Sequence, residues 1–230
     1  VLEIIGLTGG WGPTIIVEGV SLAVQAGETL AIIGRNGVGK STLLEIITGR
    51  ARREAGVVRI AGVDVSTAKT YQRSDAGLGY VPQEREVFPS LTVRENLRVA
   101  RRPGPWSEER LFALFPSLAN RSRNLACQLS GGEQQMLSIA RALHGNPKIL
   151  LMDEPTEGLA PVVVERLMDT VRAITAEKSL AVVLVEQRVD IVLDLAERCI
   201  VMDRGRIIHE ATTKALRDDP SRLVELIGLD

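Results

Sequence analysis

The chain has 230 residues and a mass of 25.0 kDa, enough for a sizeable core in one large domain or a domain with a substantial subdomain. Hydrophobic residues at 45%, charged residues at 25% and a net charge of −1 describe an ordinary globular chain, and acids and bases spread along it argue against a nucleic-acid binder with a broad basic face. The longest apolar run, Leu180 to Val185, falls far short of the roughly 18 residues that cross a bilayer. The N-terminus enters a strand pattern without a basic region and a long apolar segment, so no signal peptide is expected. Cys127 and Cys199 have no metal-ligand spacing, which suits a reduced cytosolic setting.

Residues 2 to 5 and 14 to 24 are rich in β-branched side chains, and the turn GGWGP between them predicts an antiparallel pair. Trp11 at its tip can stack on a purine by its π face or cover the edge of a small sheet. An apolar strand, Leu30 to Ile33, then hands over to a helix carrying Leu43, Leu44, Ile46 and Ile47. Between them lies GRNGVGKST: Gly34, Arg35, Asn36, Gly37, Val38, Gly39, Lys40, Ser41 and Thr42. In that context the stretch reads as a phosphate loop. Gly34, Gly37 and Gly39 let the backbone curl with its amides inward, and the following helix adds unpaired amides and the positive end of its dipole. Polyphosphate is the natural guest, with Lys40 reaching its β and γ oxygens and the Ser41 hydroxyl holding Mg²⁺ against them.

Val57 to Ile60 and Leu78 to Val81 read as further strands, the second stopped by Pro82 because proline cannot donate to a ladder. Gln83 follows directly, and its amide oxygen can serve a metal or a metal-bound water, or simply face solvent. From about Thr92 to Asn120 the pattern turns helical: Val93, Leu97 and Ala100 share one face, and Ser107 caps a second helix with Leu111, Leu114 and Phe115. LSGGE, Leu129 to Glu133, opens a long helix with Met136, Ile139, Ala140 and Leu143 on one face. Ser130 is its N-cap, and Gly131 and Gly132 leave bare amides where alanine would favour the helix by up to about 1 kcal/mol each. Those glycines point to close approach by another molecule, at a second anion-binding helix start.

Lys148 to Met152 is an apolar strand ending in Asp153-Glu154-Pro155. Asp153 is placed to hold a Mg²⁺ shell and Glu154 to polarise an attacking water, although two acids after a strand also mark an ordinary strand-to-loop boundary. An amphipathic helix from near Pro161 and a buried parallel strand, Leu180 to Val185, lead to Glu186-Gln187-Arg188 at the edge that faces ligands in doubly wound sheets. Cys199 to Met202 and Arg206 to His209 form a hairpin, and two short helices are expected to finish the chain. His144 and His209 read as structural.

GRNGVGKST at 34 to 42, Gln83 after a strand, LSGGE at 129 to 133 and ILLMDE at 149 to 154, in this order, resemble the ATP-binding cassette family over essentially the whole chain. The resemblance implies an α/β P-loop NTPase with a RecA-like mixed sheet core, an N-terminal antiparallel β subdomain and an α-helical signature subdomain. The single domain would span 1–230, with its core at 1–83 and 146–230 and the helical part at about 84–145. It makes Lys40 and Ser41 part of Walker A, Gln83 the Q-loop glutamine, Ser130 to Gly132 the signature, Asp153 the Walker B acid and Glu154 the catalytic glutamate, with Trp11 stacking on adenine. ATP and Mg²⁺ are the implied ligands, clamped between two cassettes that meet head to tail. A membrane permease would take up the motion through the helical arm, a solute-binding protein would deliver the solute, and the chain would lie on the cytoplasmic face of the membrane.

Two positions depart from the general pattern. The switch histidine is Gln187, which can donate a hydrogen bond but carries no proton or charge. The aspartate usual after Walker B is Ala160, in EGLAP. GLAP and VEQ are similar to cassettes of branched-chain or hydrophobic amino acid importers and their urea and amide relatives. The alternatives are a regulatory cassette that binds ATP while a partner hydrolyses it, and a non-transport soluble cassette.

Overall fold

The computed structural model describes residues 1–218. Two sheets organise it. The first is antiparallel, in the order β2 (Thr14–Val24), β1 (Leu2–Trp11), β4 (Arg52–Ile60) and β5 (Val63–Asp64). The expected hairpin is present but longer: β1 runs on to Trp11, which pairs with Thr14, so the turn is Gly12 and Pro13 alone. Irregularities in register between Ile4 and Gly10 let β1 bend between its two neighbours.

The second sheet runs β10 (Arg206–Thr212), β9 (Arg198–Asp203), β3 (Thr29–Ile33), β8 (Ala181–Val185), β7 (Ile149–Asp153) and β6 (Leu78–Val81). All neighbours are parallel except β10, which returns antiparallel from β9 as the predicted hairpin. Strands β3, β7 and β8 are buried at every position, as their uninterrupted apolar runs require. Their side chains alternate between cores: Ile149, Leu151, Val183 and Val185 join the core shared with the antiparallel sheet and α1 (Lys40–Thr48). Leu150, Met152, Val182 and Leu184 face the opposite layer.

That opposite layer holds α3 (Val93–Val99), α4 (Glu108–Leu114), α5 (Pro116–Asn120) and α6 (Gly131–His144), with α7 (Pro161–Ala176) and α8 (Val189–Leu195) beside them. Helix α2 (Thr70–Asp75) precedes β6, and α9 (Thr213–Asp218) follows β10. The first of the two expected terminal helices is thus α9; the second lies outside the described residues. His144 is buried with Nδ1 against the Leu97 carbonyl at 3.1 Å, a structural role as expected. No helix among the described residues is long and apolar enough to cross a membrane.

The β9–β10 turn fixes the phosphate loop from outside. The Gly205 amide donates to the Val38 carbonyl at 2.8 Å, and its carbonyl accepts from the Glu18 amide of β2 at 2.9 Å. Gly205 sits at φ 76°, and any Cβ there would overlap the Ile16 carbonyl, so glycine alone fits between loop and β2.

Candidate nucleotide site

The loop after β3 ends at Gly39, whose φ of 105° turns the chain into α1 without a side-chain cap. The first-turn amides are therefore left for an external acceptor. Lys40, the first helical residue, is 4% exposed. It folds back over its own loop, donating to the carbonyls of Gly34 at 2.9 Å and Arg35 at 3.1 Å. Its ammonium also lies 3.4 Å from a carboxylate oxygen of Glu154.

Asp153 ends β7, two strands along from the loop. The Ser41 hydroxyl donates to its Oδ1 at 3.0 Å and the Tyr80 hydroxyl to its Oδ2 at 3.5 Å. Burial pushes the Asp153 carboxyl up to about 6; the Ser41 hydrogen bond opposes this, while the charges of Glu154 and Glu45 add to it and Lys40 counters them. The Ser41 hydroxyl and the buried Asp153 carboxylate are in contact, and Gln83 shares the cavity lining with Ser41; their oxygens are hard donors of the kind that suits Mg²⁺. An electron-rich carboxylate held at such a desolvation penalty is what a bound cation would relieve.

Glu154 follows in a left-handed conformation, φ 42°, with its amide donating to the Val185 carbonyl at 2.9 Å. That turn swings its side chain under the phosphate loop, where Oε2 accepts from the Gln187 side-chain amide at 2.5 Å. A cavity of about 360 Å³ opens here, lined by Asn36, Gly37, Gly39, Lys40, Ser41, Thr42, Gln83, Glu154 and Gln187, with Ile16 and Glu157 beside them. The structure thus gathers most of the residues expected from sequence. Gly34 and Arg35 contribute carbonyls to Lys40 from outside that lining, and Val38 packs against the core.

Trp11 stands apart, 45% exposed at the hairpin tip and outside the cavity lining. Ser130, Gly131 and Gly132 are also outside it. Ser130 and Glu133 cap α6 reciprocally, the Ser130 hydroxyl accepting from the Glu133 amide at 3.3 Å and the Ser130 amide donating to the Glu133 carboxylate at 2.9 Å. Within this chain, a Cβ on Gly132 would overlap Val163 of α7, and one on Gly131 would meet the Arg85 guanidinium at 3.0 Å. Ala160 leaves α7 with no side-chain cap, its first turn resting on Pro161 alone.

Sequence reasoning gave no role to three contributors, although it placed Glu186 at the ligand-facing edge. Glu157 accepts a hydrogen bond from Gln83, Tyr80 reaches Asp153, and Glu186, 2% exposed, accepts from the Thr156 hydroxyl at 2.6 Å. An acid directly after an all-apolar strand was the available signal for Glu186; nothing in the local pattern singled out Tyr80.

A phosphate loop on a mostly parallel sheet, with an acid ending the next strand but one, defines a P-loop nucleotide-hydrolysing domain. The chain belongs to the ABC transporter family, whose model matches residues 17–157. It is 36% identical over 218 residues to the high-affinity branched-chain amino acid transport ATP-binding protein BraG of Pseudomonas aeruginosa, covering 91% of this chain and 92% of that protein. The lipopolysaccharide export system ATP-binding protein LptB of Haemophilus influenzae is 34% identical, over 89% of this chain and 87% of that one. Among solved structures, the dimeric post-hydrolysis state of the ATP-binding cassette MJ0796 with ADP and Pi superposes with a TM-score of 0.80 at 28% identity, covering 93% of this chain and 99% of that chain. The chain is accordingly an ABC-type ATPase.

Proposed function

We propose that this chain is the ATP-hydrolysing subunit of an importer for branched-chain or other hydrophobic amino acids, or for a related small solute. In this reading it pairs head to tail with a second cassette, works from the cytoplasmic face against integral-membrane permease subunits, and depends on an outside solute-binding protein for its cargo. The single observation that carries the catalytic part is the placement of Glu154, with one oxygen 3.4 Å from the Lys40 ammonium and the other held by Gln187 at 2.5 Å. GLAP, VEQ and the likeness to BraG support the importer subgroup.

The loop amides from Gly37 to Thr42 and the Lys40 ammonium bind the β and γ phosphates. As phosphate oxygens take over Lys40, its contact with Glu154 loosens and the carboxylate is freed toward the attacking water. Glu154 orients and polarises that water. Gln187 holds the Glu154 carboxylate and offers an amide hydrogen to the γ-phosphate; being neutral, it shuttles no proton. Ser41, Asp153 and Gln83 would hold Mg²⁺, which supplies charge neutralisation along the phosphates. Trp11 stacks on adenine, and Ser130 to Gly132 of the opposing cassette close the site.

The test is Glu154→Gln. It is expected to keep ATP affinity, to lower hydrolysis at least about a hundredfold, and to run as an ATP-dependent dimer in gel filtration. Hydrolysis at the parent rate would remove Glu154 from the chemistry. Gln187 favours a second reading, a regulatory cassette beside a hydrolysing partner; that reading predicts a parent chain as inactive as Glu154→Gln until the partner is added.

A further inference from the structure

We propose that Glu186 is a positioning residue for hydrolysis: its carboxylate ties the loop after Glu154 to the backbone of Gln187 and so sets the Glu154–Gln187 contact, a role that rests on the reading of those two residues given above. Glu186 is the first residue past β8 and is 2% exposed. Its Oε1 accepts from the Thr156 hydroxyl at 2.6 Å and the Thr156 amide at 3.3 Å. Its Oε2 accepts from the Gln187 amide at 3.2 Å.

These bonds close a ring. Thr156 is two residues beyond Glu154, Gln187 is one beyond Glu186, and the Gln187 side chain returns to Glu154 at 2.5 Å. Main-chain bonds already fix the strand ends, Glu154 to Val185 at 2.9 Å and Glu186 to Ile32 at 3.3 Å. The Glu186 side chain adds a link from β8 to the loop that carries both Glu154 and Glu157, the partner of Gln83.

A carboxylate is an expensive choice for such a place. Burial raises its pKa, against the hydrogen bonds from Thr156 and Gln187. An apolar residue would continue β8, AVVLV, without that penalty. Two oxygens with several acceptor sites can serve both segments at once, whereas an amide has one oxygen and turns its own hydrogens on the second segment.

Glu186→Gln should therefore lower kcat roughly ten- to a hundredfold with KM for ATP unchanged, as expected when reacting groups are misplaced rather than lost. Thr156→Val, which removes only the hydroxyl, should do the same more weakly and covers the case in which Glu186→Gln does not fold. Introduced into Gln187→Ala, either change should have no further effect, because its route is already cut. A second readout needs no turnover: the Gln187 side-chain amide resonances, assigned by comparison with Gln187→Ala, should shift in both variants.

Equal kcat losses in the parent and Gln187→Ala backgrounds, or unmoved Gln187 resonances in both variants, would overturn the proposal. Parent-rate hydrolysis by Glu154→Gln would instead overturn the underlying reading of the site. If Glu154→Gln is dead while Glu186→Gln and Thr156→Val keep full kcat, the positioning role alone fails.

Discussion

Asp153 is held where a carboxylate is least comfortable. Its side chain is buried, its nearest donors are the neutral hydroxyls of Ser41 and Tyr80, and its pKa stands at about 6 against 3.8 for the free group. Between these values the folded state binds more protons than the unfolded one, so the group's contribution to stability is present below 3.8 and is lost as pH rises to about 6. At neutral pH the ionised form therefore opposes folding, by on the order of 3 kcal/mol. Asp153→Asn keeps an acceptor for Ser41 and carries no charge. In metal- and nucleotide-free protein it should raise the melting temperature at pH 7.5 by several degrees and by roughly half as much at pH 5, where the folded protein's Asp153 is already largely protonated, while MgATP hydrolysis is lost. Calorimetry of both proteins at the two pH values checks this; an equal gain at both would mean that the Asp153 charge is not the source of the penalty.

At the scale of elements, the start of α6 and the start of α7 are fitted to each other. Gly132 is buried, and its missing side chain is the space that Val163 occupies. Gly132→Ala would gain helix propensity of up to about 1 kcal/mol, but the overlap forces Val163 off its rotamer or parts the helices, typically at a cost of about 1–3 kcal/mol. Net destabilisation in urea is expected, and Val163→Ala in the same chain should remove it. If Gly132→Ala is stabilising by itself, the packing does not dictate the glycine. This contact also marks the limit of reading from sequence. The glycines of LSGGE were legible as a demand for close approach, but the contact of Gly132 with Val163 was not, because it depends on tertiary placement of a residue 31 positions on.

The strands β3, β7 and β8, helix α1 and the Ser130 N-cap of α6 were legible for a plain reason: each carries its pattern locally, in an apolar run or a cap residue before a helical face. Others do not. β4 begins at Arg52 rather than Val57, because RREAG is mostly exposed and shows no apolar alternation. β5 has two residues, and α2 and α5 have six and five, too short for a period to declare itself. Within the site, Lys40, Ser41, Gln83, Asp153, Glu154 and Gln187 were each visible beside a strand end or loop signature. The Thr156–Glu186 link was not, since it joins two strand ends 30 residues apart and only the parallel pairing of β7 with β8 brings them together.

For the whole molecule, the decisive feature is that the cavity beside the phosphate loop and the turn at Ser130 to Gly132 are separate. The cavity is lined by the loop, Gln83, Glu154 and Gln187, and Ser130 to Gly132 contribute nothing to it. In the head-to-tail pair proposed above, each site takes its phosphate loop from one chain and its signature from the other. Two inactive variants should then rescue one another. Lys40→Ala disables its own loop but keeps a sound signature; Ser130→Arg blocks its own signature but keeps a sound loop. In a mixed pair one site receives both sound halves and the other receives neither. With random pairing half of the dimers are mixed and each has one working site, so an equal mixture of the two should regain about a quarter of the parent hydrolysis. The gain should rise and fall with the mixing ratio and disappear on dilution below the pairing concentration. If hydrolysis instead required only groups within one chain, no ratio would restore it, because every chain in the mixture would carry a disabling change; the signature turn would then have to reach its own phosphate loop by a rearrangement within the chain.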